Sequence, residues 1–321
     1  MAAVSIITPA WNAASYIGET ITSVRAQTFE DWEWLIVDDG SSDDTVFTIV
    51  AHAAGDRRIV LLRQANAGPS AARNRAMRHA SGRWFAFLDS DDVWQPRFLE
   101  AQLAVFRDHP DTDVVTATAL NRGGPFDGQP TRPWVAGQPM LTHEQIIGDE
   151  TSVFIMSVFR RQVFDTVQGF DEQQWTSEDY DFWLRAVEAG FVFRMNPEPL
   201  GWYRVRGESL SRQRVRMLEG LLTSYRKGRE RTRPDRPEYR AIARQISRFE
   251  SALLLEEAKS ALERRQFTIA ADRLDALRAR GGGHFVAITA WLARYAPALA
   301  GIAYRLRGWR LRRPGFVSLP S

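Results

Sequence analysis

Short apolar runs that alternate with helical patterns are the feature of this sequence that most constrains its fold. Across residues 1–200, each run of β-branched and aromatic residues is followed by a polar loop and then by an amphipathic stretch. Strands that are separated by helices favour a mostly parallel sheet with helices on both faces. We therefore predict an α/β fold whose strands span residues 4–8, 34–37, 59–62, 84–88, 114–118, 153–159 and 201–205.

The pattern changes near residue 212, which predicts two units. Beyond that point apolar residues recur with a helical period of about 3.6 until three glycines at 281–283 interrupt them. Residues 121–140 are rich in glycine and proline and are predicted to form a loop. We predict an α/β unit over residues 1–211 and a basic helical extension over residues 212–321.

Charge is divided unevenly along the chain. The whole sequence has a net charge of +3, but residues 201–321 carry 26 Lys and Arg against 11 Asp and Glu, a net of +15, which leaves −12 for residues 1–200. An acidic half can hold a divalent cation, and a basic half can bind anionic lipid, nucleic acid or an acidic polymer. The arginines are equally explained as solvated helix faces.

The C-terminal region contains a mostly apolar stretch at 285–304, and five arginines follow it. The stretch is about as long as a membrane span, but Arg294 and Pro297 near its middle disfavour a stable span. A helix lying on an anionic membrane surface fits this pattern. A helical unit that packs on the first unit, or that forms an oligomer contact, fits it as well.

The sequence disfavours several classes of protein. It has no cysteine and its five histidines are scattered, which argues against a disulfide framework, a thiolate zinc site, a cysteine nucleophile and a histidine-built metal site. No Gly-x-Gly-x-x-Gly follows the first predicted strand, as a dehydrogenase would require, and residues 4–12 lack the glycine-rich basic loop of a nucleotidyltransferase. The basic tail has few interleaved aromatic residues, so we expect no nucleic acid partner. The N-terminal residues lack the basic region and apolar run of a signal peptide, which predicts a cytoplasmic protein.

Carboxylates stand where two predicted strands should end. Asp38 and Asp39 follow the second strand, and Asp89 and Asp91 follow the fourth. If the strand geometry continues, Asp89 and Asp91 point to the same side. Two carboxylates there repel each other unless a cation such as Mg²⁺ or Mn²⁺ lies between them. Each cluster taken alone is also explained as a capped turn that leads into a helix, without any functional role.

A third acidic cluster begins a predicted helix at residue 178. Glu178, Asp179 and Asp181 would stabilise the positive N-terminal end of that helix whatever the function. In the functional interpretation, one of them is a general base that is desolvated by aromatic neighbours such as Trp175.

The sequence contains, in order, the motifs SIITPAWN (5–12), VDDGSSD (37–43), NAGPSAARN (66–74), FLDSDDVW (87–94), SEDYDFW (177–183) and Tyr203-Arg204. Taken together, these motifs resemble glycosyltransferase family 2, whose members are inverting enzymes with the GT-A fold. The resemblance covers roughly residues 3–212. It implies a metal-dependent hexosyltransferase that moves a single sugar from a nucleotide-diphosphate sugar, with a UDP-sugar expected, to an acceptor hydroxyl in the synthesis of cell-surface polysaccharide or glycolipid. A catalytically inactive protein of the same fold that binds sugar nucleotides or glycans is the alternative.

On the donor side, the resemblance implies that Asp39 and the loop after the first strand hold the nucleotide base, and that Arg73 lies near the phosphates. Asp91 would ligate the Mn²⁺ or Mg²⁺ that bridges the diphosphate, and Asp89 would lie at the ribose or the metal. The remaining implied substrate-binding residues are Pro9, Ala10, Trp11, Asn12, Ser90, Arg204 and Arg206.

On the acceptor side, Asp179 would deprotonate the attacking hydroxyl, while Glu178 and Trp175 would line the pocket. Two departures from the family pattern stand out. Many relatives have a histidine where this chain has Arg206, which cannot ligate a cation but can pair with phosphate. The Gln-x-x-Arg-Trp motif of processive synthases is absent from this sequence, so we expect one sugar per event.

The resemblance also implies partners, which are a nucleotide-sugar donor and an acceptor that is a glycan, a lipid-linked glycan or a polysaccharide. If the C-terminal helices lie on a membrane, they add an anionic membrane surface to these partners. The N-terminal residues predict the cytoplasm, and the membrane interpretation of the C-terminal helices adds peripheral attachment at the inner face of the plasma membrane.

Overall fold

A mixed sheet covered by helices forms the centre of the protein, in a computed structural model that describes residues 2–132, 140–205 and 214–299. Within those residues the sheet has nine strands: β1 (Val4–Ala10), β2 (Trp32–Asp39), β3 (Ile59–Gln64), β4 (Trp84–Phe87), β5 (Val93–Trp94), β6 (Val114–Arg122), β7 (Met140–Leu141), β8 (Ser157–Arg160) and β9 (Phe193–Arg204). They lie in the order β3-β2-β1-β4-β8-β6-β9-β5, and β7 pairs with β9.

The strands β3, β2, β1 and β4 are parallel. β1 and β2 are buried on both faces, which explains why their sequences are nearly continuous apolar runs. Ala10 at the end of β1 pairs with Asp38 of β2, and Ile7 pairs with Phe87 at the end of β4. The loops that follow these three strands therefore start at one edge of the sheet, the carboxyl edge.

The other half of the sheet mixes directions. β8 is antiparallel to β4 and β6, and β9 is parallel to β6 but antiparallel to β5 and β7. The predicted α/β class is confirmed. β9 begins at Phe193, earlier than the predicted start at 201, because Pro197 and Pro199 interrupt its strand pattern. β8 begins at Ser157, later than the predicted 153.

Eleven helices lie within the described residues. The helical pattern predicted before the glycines at 281–283 is divided among several of them, and Arg265, between two of these helices, has a left-handed backbone (φ 59°) that no helix can continue through. The helices are α1 (Ile17–Arg25), α2 (Thr45–Ala53), α3 (Gly68–His79), α4 (Phe98–Asp108), α5 (His143–Gly148), α6 (Arg161–Val167), α7 (Glu178–Glu188), α8 (Arg214–Arg231), α9 (Pro237–Glu263), α10 (Phe267–Ala279) and α11 (His284–Tyr295).

The C-terminal helices begin within the main core. Leu218 and Leu222 of α8 and Ile242 of α9 are buried in the same hydrophobic cluster as residues of β4 and α7. The predicted boundary between residues 211 and 212 stays a prediction, and Arg206 lies outside the described residues. Among the described helices, none combines the length and the apolarity that crossing a membrane requires.

Candidate active site

The acidic motif after β4 forms a turn. The Asp92 amide donates a hydrogen bond to the Asp89 carbonyl (3.2 Å), so the strand has ended before the motif. The pleat of β4 does not extend to Asp89 or Asp91, so the condition under which strand alternation would point them to the same side is not met. Ser90 is buried in this turn, and its carbonyl accepts a hydrogen bond from the Thr20 hydroxyl (3.1 Å).

Arg73 joins this turn to the start of α7. Its guanidinium is buried and donates to Asp89 (2.8 Å) through one terminal nitrogen and to Glu178 (2.7 Å) through the other. Burial alone would lower the pKa of Arg73, but the two carboxylates raise it above its ordinary value. The bridge places the predicted donor-side residues Asp89 and Arg73 against Glu178, which was predicted on the acceptor side.

Asp179 is the second residue of α7 and lies beside this bridge. One of its oxygens accepts a hydrogen bond from the Tyr180 amide (2.8 Å). Burial and the negative charge of Glu178 raise the pKa of Asp179 to about 7, and the positive charge of Arg73 opposes that rise. A carboxyl group with this pKa is partly deprotonated near neutral pH, so it can accept a proton there.

Asp39 holds the loop that leads into α3. Its buried carboxylate accepts hydrogen bonds from the Gln64 side chain and from the Ala67 and Gly68 amides, each at 2.8 Å. A carboxylate with three such bonds keeps acceptor capacity for a further donor, such as an N–H group of a base. The contact of Asp39 with the nucleotide base stays a prediction. The structure adds that Asp39 holds the loop before α3 in place through its hydrogen bonds.

The loop after β1 lies against the loop after β2. Asn12 has a left-handed backbone (φ 48°), and its amide donates to the Ser41 hydroxyl (3.0 Å). Ala10 is buried and Pro9 is half-buried, whereas Trp11 is 57 % exposed. An exposed indole next to an anchored residue at the carboxyl edge is suited to stacking on a planar group.

Trp175 also contacts the donor side. Its ring packs on Gly68, where an added Cβ would lie 3.4 Å from the ring, and Gly68 has a φ of +87° that favours glycine. The side chain of Trp175 is 56 % exposed. Because the Gly68 amide is bonded to Asp39, Trp175 lies close to the residue predicted to bind the base.

Arg204 supports the acidic turn from the last strand. Its side chain donates to the Asp91 carbonyl (3.0 Å) and to Glu19 (2.6 Å), and its amide donates to Asp92 (2.9 Å). The ring of Tyr16 lies 5.0 Å from the guanidinium carbon. Sequence reasoning missed Glu19 and Tyr16, which belong to none of the motifs. A direct substrate contact of Arg204 stays a prediction.

Asp92 is a further carboxyl group at this turn that the sequence analysis did not select. It is buried, and one of its oxygens has no hydrogen-bond partner among the described residues. Burial, together with the charges of Asp91 and Asp89, raises the pKa of Asp92 well above its usual value. The signal in the sequence that could have identified Asp92 was its position as a third acid, besides Asp89 and Asp91, in the motif at 87–94.

The carboxylates of the acidic turn allow a test of whether a divalent cation fits at this place. Asp89 and Asp91 offer hard oxygen ligands in one turn, which suits Mg²⁺ or Mn²⁺. Across residues 2–132, 140–205 and 214–299, no three His, Asp or Glu side chains converge to hold a metal by themselves. The chemistry of the Asp89 and Asp91 oxygens fits an ion that takes its remaining ligands from a diphosphate and water, as Mg²⁺ commonly does.

Gln174 ties the loop before α7 to α8. Its buried side-chain nitrogen lies 2.7 Å from the Ser224 hydroxyl, 3.0 Å from the Ser177 carbonyl and 3.4 Å from the Gly220 carbonyl. In the same place Gly220 approaches Thr176 so closely that an added Cβ would lie 2.4 Å from the Thr176 carbonyl oxygen. Sequence reasoning missed this contact because Ser224 lies 50 positions from Gln174 along the chain.

Comparisons with known proteins establish the class to which this fold and site belong. The family model described as "Glycosyl transferase family 2" matches residues 5–168, and the one described as "Glycosyl transferase family group 2" matches residues 144–297. The chain therefore belongs to glycosyltransferase family 2, and glycosyl transfer is the activity of that family.

Individual proteins are similar to this chain over most of their length. TuaG of Bacillus subtilis (strain 168), named as a teichuronic acid biosynthesis glycosyltransferase, is 31% identical over 70% of this chain and 87% of its own. WfgD of Escherichia coli, named as a UDP-Glc:alpha-D-GlcNAc-diphosphoundecaprenol beta-1,3-glucosyltransferase, is 32% identical over 67% of this chain and 82% of its own. The mannosyltransferase PcManGT from Pyrobaculum calidifontis, solved with GDP-Man and Mn²⁺, matches 97% of this chain and 88% of its own with a TM-score of 0.62 at 19% identity. The structural likeness shows a shared fold, which is GT-A.

Proposed function

We propose that this protein is an inverting, metal-dependent glycosyltransferase that moves one hexose from a UDP-sugar to a hydroxyl group of a lipid-linked glycan or polysaccharide. The observation that carries the proposal is the bridge from Asp89 through Arg73 to Glu178, beside which Asp179 has its raised pKa. Ligands of open α/β sheets bind at the carboxyl edge, and this bridge joins the proposed donor and acceptor residues there.

On the donor side, Trp11 and Asp39 are the proposed partners of the uracil base. The exposed indole offers a stacking surface, and the carboxylate keeps acceptor capacity for a base N–H. Arg73 fixes Asp89 through its 2.8 Å hydrogen bond and is the residue proposed to lie near the diphosphate. The choice of a UDP-sugar is supported by the donor that the name of WfgD states.

Asp91 and Asp89 are the residues that would hold Mn²⁺ or Mg²⁺. When bound, such an ion stabilises the negative charge that develops on the leaving nucleoside diphosphate. Arg204 keeps the turn in place through its bonds to the Asp91 carbonyl and to Asp92.

On the acceptor side, Asp179 is the proposed general base. It takes the proton of the acceptor hydroxyl as the hydroxyl oxygen bonds to the anomeric carbon and the bond from that carbon to the diphosphate oxygen breaks. Attack from the side opposite the leaving group inverts the anomeric configuration. Glu178 and Trp175 line the proposed acceptor pocket.

The names of two relatives support the proposed acceptor class. One is named for an undecaprenol-linked glycan acceptor and the other for teichuronic acid biosynthesis, so a lipid-linked glycan or a cell-surface polysaccharide is the proposed acceptor. The proposed place of action is the cytoplasm, with peripheral attachment at the inner face of the plasma membrane, where a lipid-linked acceptor is presented.

A donor screen followed by product analysis tests the proposal. Thermal unfolding with Mn²⁺ and UDP-, GDP- or dTDP-sugars should show a raised melting temperature with a UDP-sugar. Transfer to a lipid-linked acceptor should then give a product of inverted anomeric configuration by NMR. Stabilisation by GDP-sugars alone would overturn the UDP assignment, and a retained configuration would overturn inversion. Donor binding with no transfer to any glycan acceptor would instead support the inactive binding protein.

A further inference from the structure

Helix α11 carries three of its large apolar residues on the outside. Ala290 and Ala293 are buried and Val286 and Leu292 pack beside them, whereas Ile288, Trp291 and Tyr295 are each more than half exposed. A surface helix normally turns its large apolar side chains inward and its polar side chains outward. The sequence of α11 therefore favours a second apolar contact besides the one that its inner side makes.

The exposed side chains form one continuous face. Ile288, Trp291 and Tyr295 follow one another at steps of three and four residues, which places them on the same side of the helix. The rings of Trp291 and Tyr295 lie 5.8 Å apart. Ile288, Trp291 and Tyr295 together make up the α11 face.

A hollow of about 460 Å³ adjoins this face, between α10 and α11. Ile288 and Trp291 line it together with Asp275, Arg278 and Arg294. Arg294 lies 2.8 Å from Asp275, so part of the charge around the hollow is balanced locally. The attraction of a charged partner to this region must therefore come mainly from other residues.

The chain that follows the α11 face is strongly basic. Residues 300–321 contain five arginines and no Asp or Glu. A second copy of this chain docked on the same face would bring two such segments together, and they would repel each other. An anionic lipid surface suits both features, because it takes up apolar side chains at the headgroup boundary and attracts arginines. Trp and Tyr are also the residues that favour the interface between membrane and water.

We propose that the α11 face is a docking surface for an anionic phospholipid membrane. The inference supplies the contact surface for the proposed membrane location, so it rests on that part of the proposed function and not on its chemistry. Ile288 reaches toward the acyl chains, while Trp291 and Tyr295 lie at the level of the headgroups.

Co-sedimentation of the full chain with vesicles tests this proposal. Vesicles of phosphatidylcholine alone are compared with vesicles that also contain phosphatidylglycerol, at low and high salt. We expect binding to the anionic vesicles that weakens with salt. The partition coefficient should fall about tenfold in the variant Ile288→Ser/Trp291→Ser, because it loses two apolar contacts, and it should also fall in Tyr295→Ser.

The matched control is Phe47→Ser/Val50→Ser on α2, which removes two exposed apolar side chains elsewhere and should bind vesicles like the unchanged chain. Equal vesicle binding of the α11 variants and the unchanged chain would overturn the proposal, as would a lack of binding by the unchanged chain. Self-association that is lost in the α11 variants, with vesicle binding unaltered, would assign the face to a second copy.

A second assay separates this proposal from the proposed chemistry. Sugar transfer to a short soluble acceptor without vesicles should be equal in the α11 variants, the control and the unchanged chain, because the α11 face takes no part in the reaction. Failure of all four proteins in this assay would count against the proposed chemistry, and the vesicle comparison would still decide the docking surface.

Discussion

At the scale of single residues, one buried guanidinium decides how two neighbouring acids of α7 differ. Arg73 pairs with Glu178 at 2.7 Å, whereas Asp179 accepts a hydrogen bond from the Tyr180 amide and lies close to the negative charge of Glu178. Carboxyl groups whose environments differ in this way commonly take different roles in catalysis. We therefore assign proton acceptance to Asp179 and positioning to Glu178.

The activity should depend on pH through Asp179. Its pKa is raised to about 7, and the base must be deprotonated to act, so kcat/KM should rise with pH through that value and then level off. Glu178→Gln removes a negative charge that raises this pKa, so the midpoint of the pH profile should move to lower pH. The rates of both proteins across the pH range measure this shift, and an upward or absent shift would count against the assignment.

Two isosteric substitutions should impair the enzyme in different ways, one in turnover and the other in donor binding. Asp179→Asn removes the base, so kcat should fall by about 10²–10⁴-fold while the affinity for UDP stays unchanged. Asp91→Asn should weaken UDP binding only when Mn²⁺ is present, because it removes a metal ligand. Calorimetric titration with UDP, with and without Mn²⁺, separates the two effects when combined with turnover. Near-normal turnover of Asp179→Asn would refute the base assignment.

At the scale of secondary-structure elements, α8 holds the loop that leads into α7. The Thr176 hydroxyl donates to a carbonyl of α8 (2.9 Å), the Ser177 hydroxyl donates to the next carbonyl (3.2 Å), and Gln174 adds its own bonds. Ser177 has a left-handed backbone (φ 54°), which a residue other than glycine keeps only where its surroundings enforce it. We infer that α8 positions the start of α7 and, with it, Asp179.

Gly220→Ala should disturb this arrangement. The added Cβ would lie 2.4 Å from two oxygens of Thr176, so the loop must move. We expect kcat to fall by about tenfold or more because the base is displaced, a loss of about 1–3 kcal/mol in stability, and an unchanged KM for the donor. Steady-state kinetics measure the split between kcat and KM.

The control for that change is Gly148→Ala at the end of α5, where an added Cβ would meet nothing within 4 Å. It should leave both kinetic constants unaltered. If Gly220→Ala lowered kcat and raised the donor KM to the same extent, the effect would be general damage and not a displaced base.

At the scale of the whole molecule, one hydrophobic core includes both the sheet and part of the helical extension. Leu222 and Tyr225 of α8 and Ile242 of α9 belong to the same buried cluster as Phe87 of β4. The predicted boundary at 211/212 marks a change in sequence pattern, and this core extends across it. The α/β unit and the first extension helices should therefore unfold together.

Leu222→Ala tests that expectation. The side chain is 1 % exposed, so its loss should cost about 2–5 kcal/mol and should move the single unfolding transition of the protein. Urea unfolding followed by tryptophan fluorescence measures it. Ile269→Ala on the exposed side of α10 is the control and should change stability by no more than about 0.5 kcal/mol. A new early transition in Leu222→Ala, with the main one unmoved, would contradict a shared core.

Local patterns were sufficient to predict the parallel half of the sheet. The runs at 4–8, 34–37, 59–62 and 84–88 correspond to β1, β2, β3 and β4, because apolar runs in such strands need no distant residue to be recognised. β5 and β7 have two residues each, which is too few for any periodicity, and prolines interrupt β9. These strands are recognised only by their pairing with neighbouring strands of the sheet.

The sequence by itself determined the α/β class, the family and the acidic motifs, since each of these is contained in contiguous residues. Only the tertiary structure decided that Arg73 joins Asp89 to Glu178, and that α8 holds the loop before α7. Arg73 and Glu178 are 105 positions apart in the chain, and their side chains meet only after the sheet and the helices have packed. Contacts of this kind depend on the folding of the whole chain, and no local pattern encodes them.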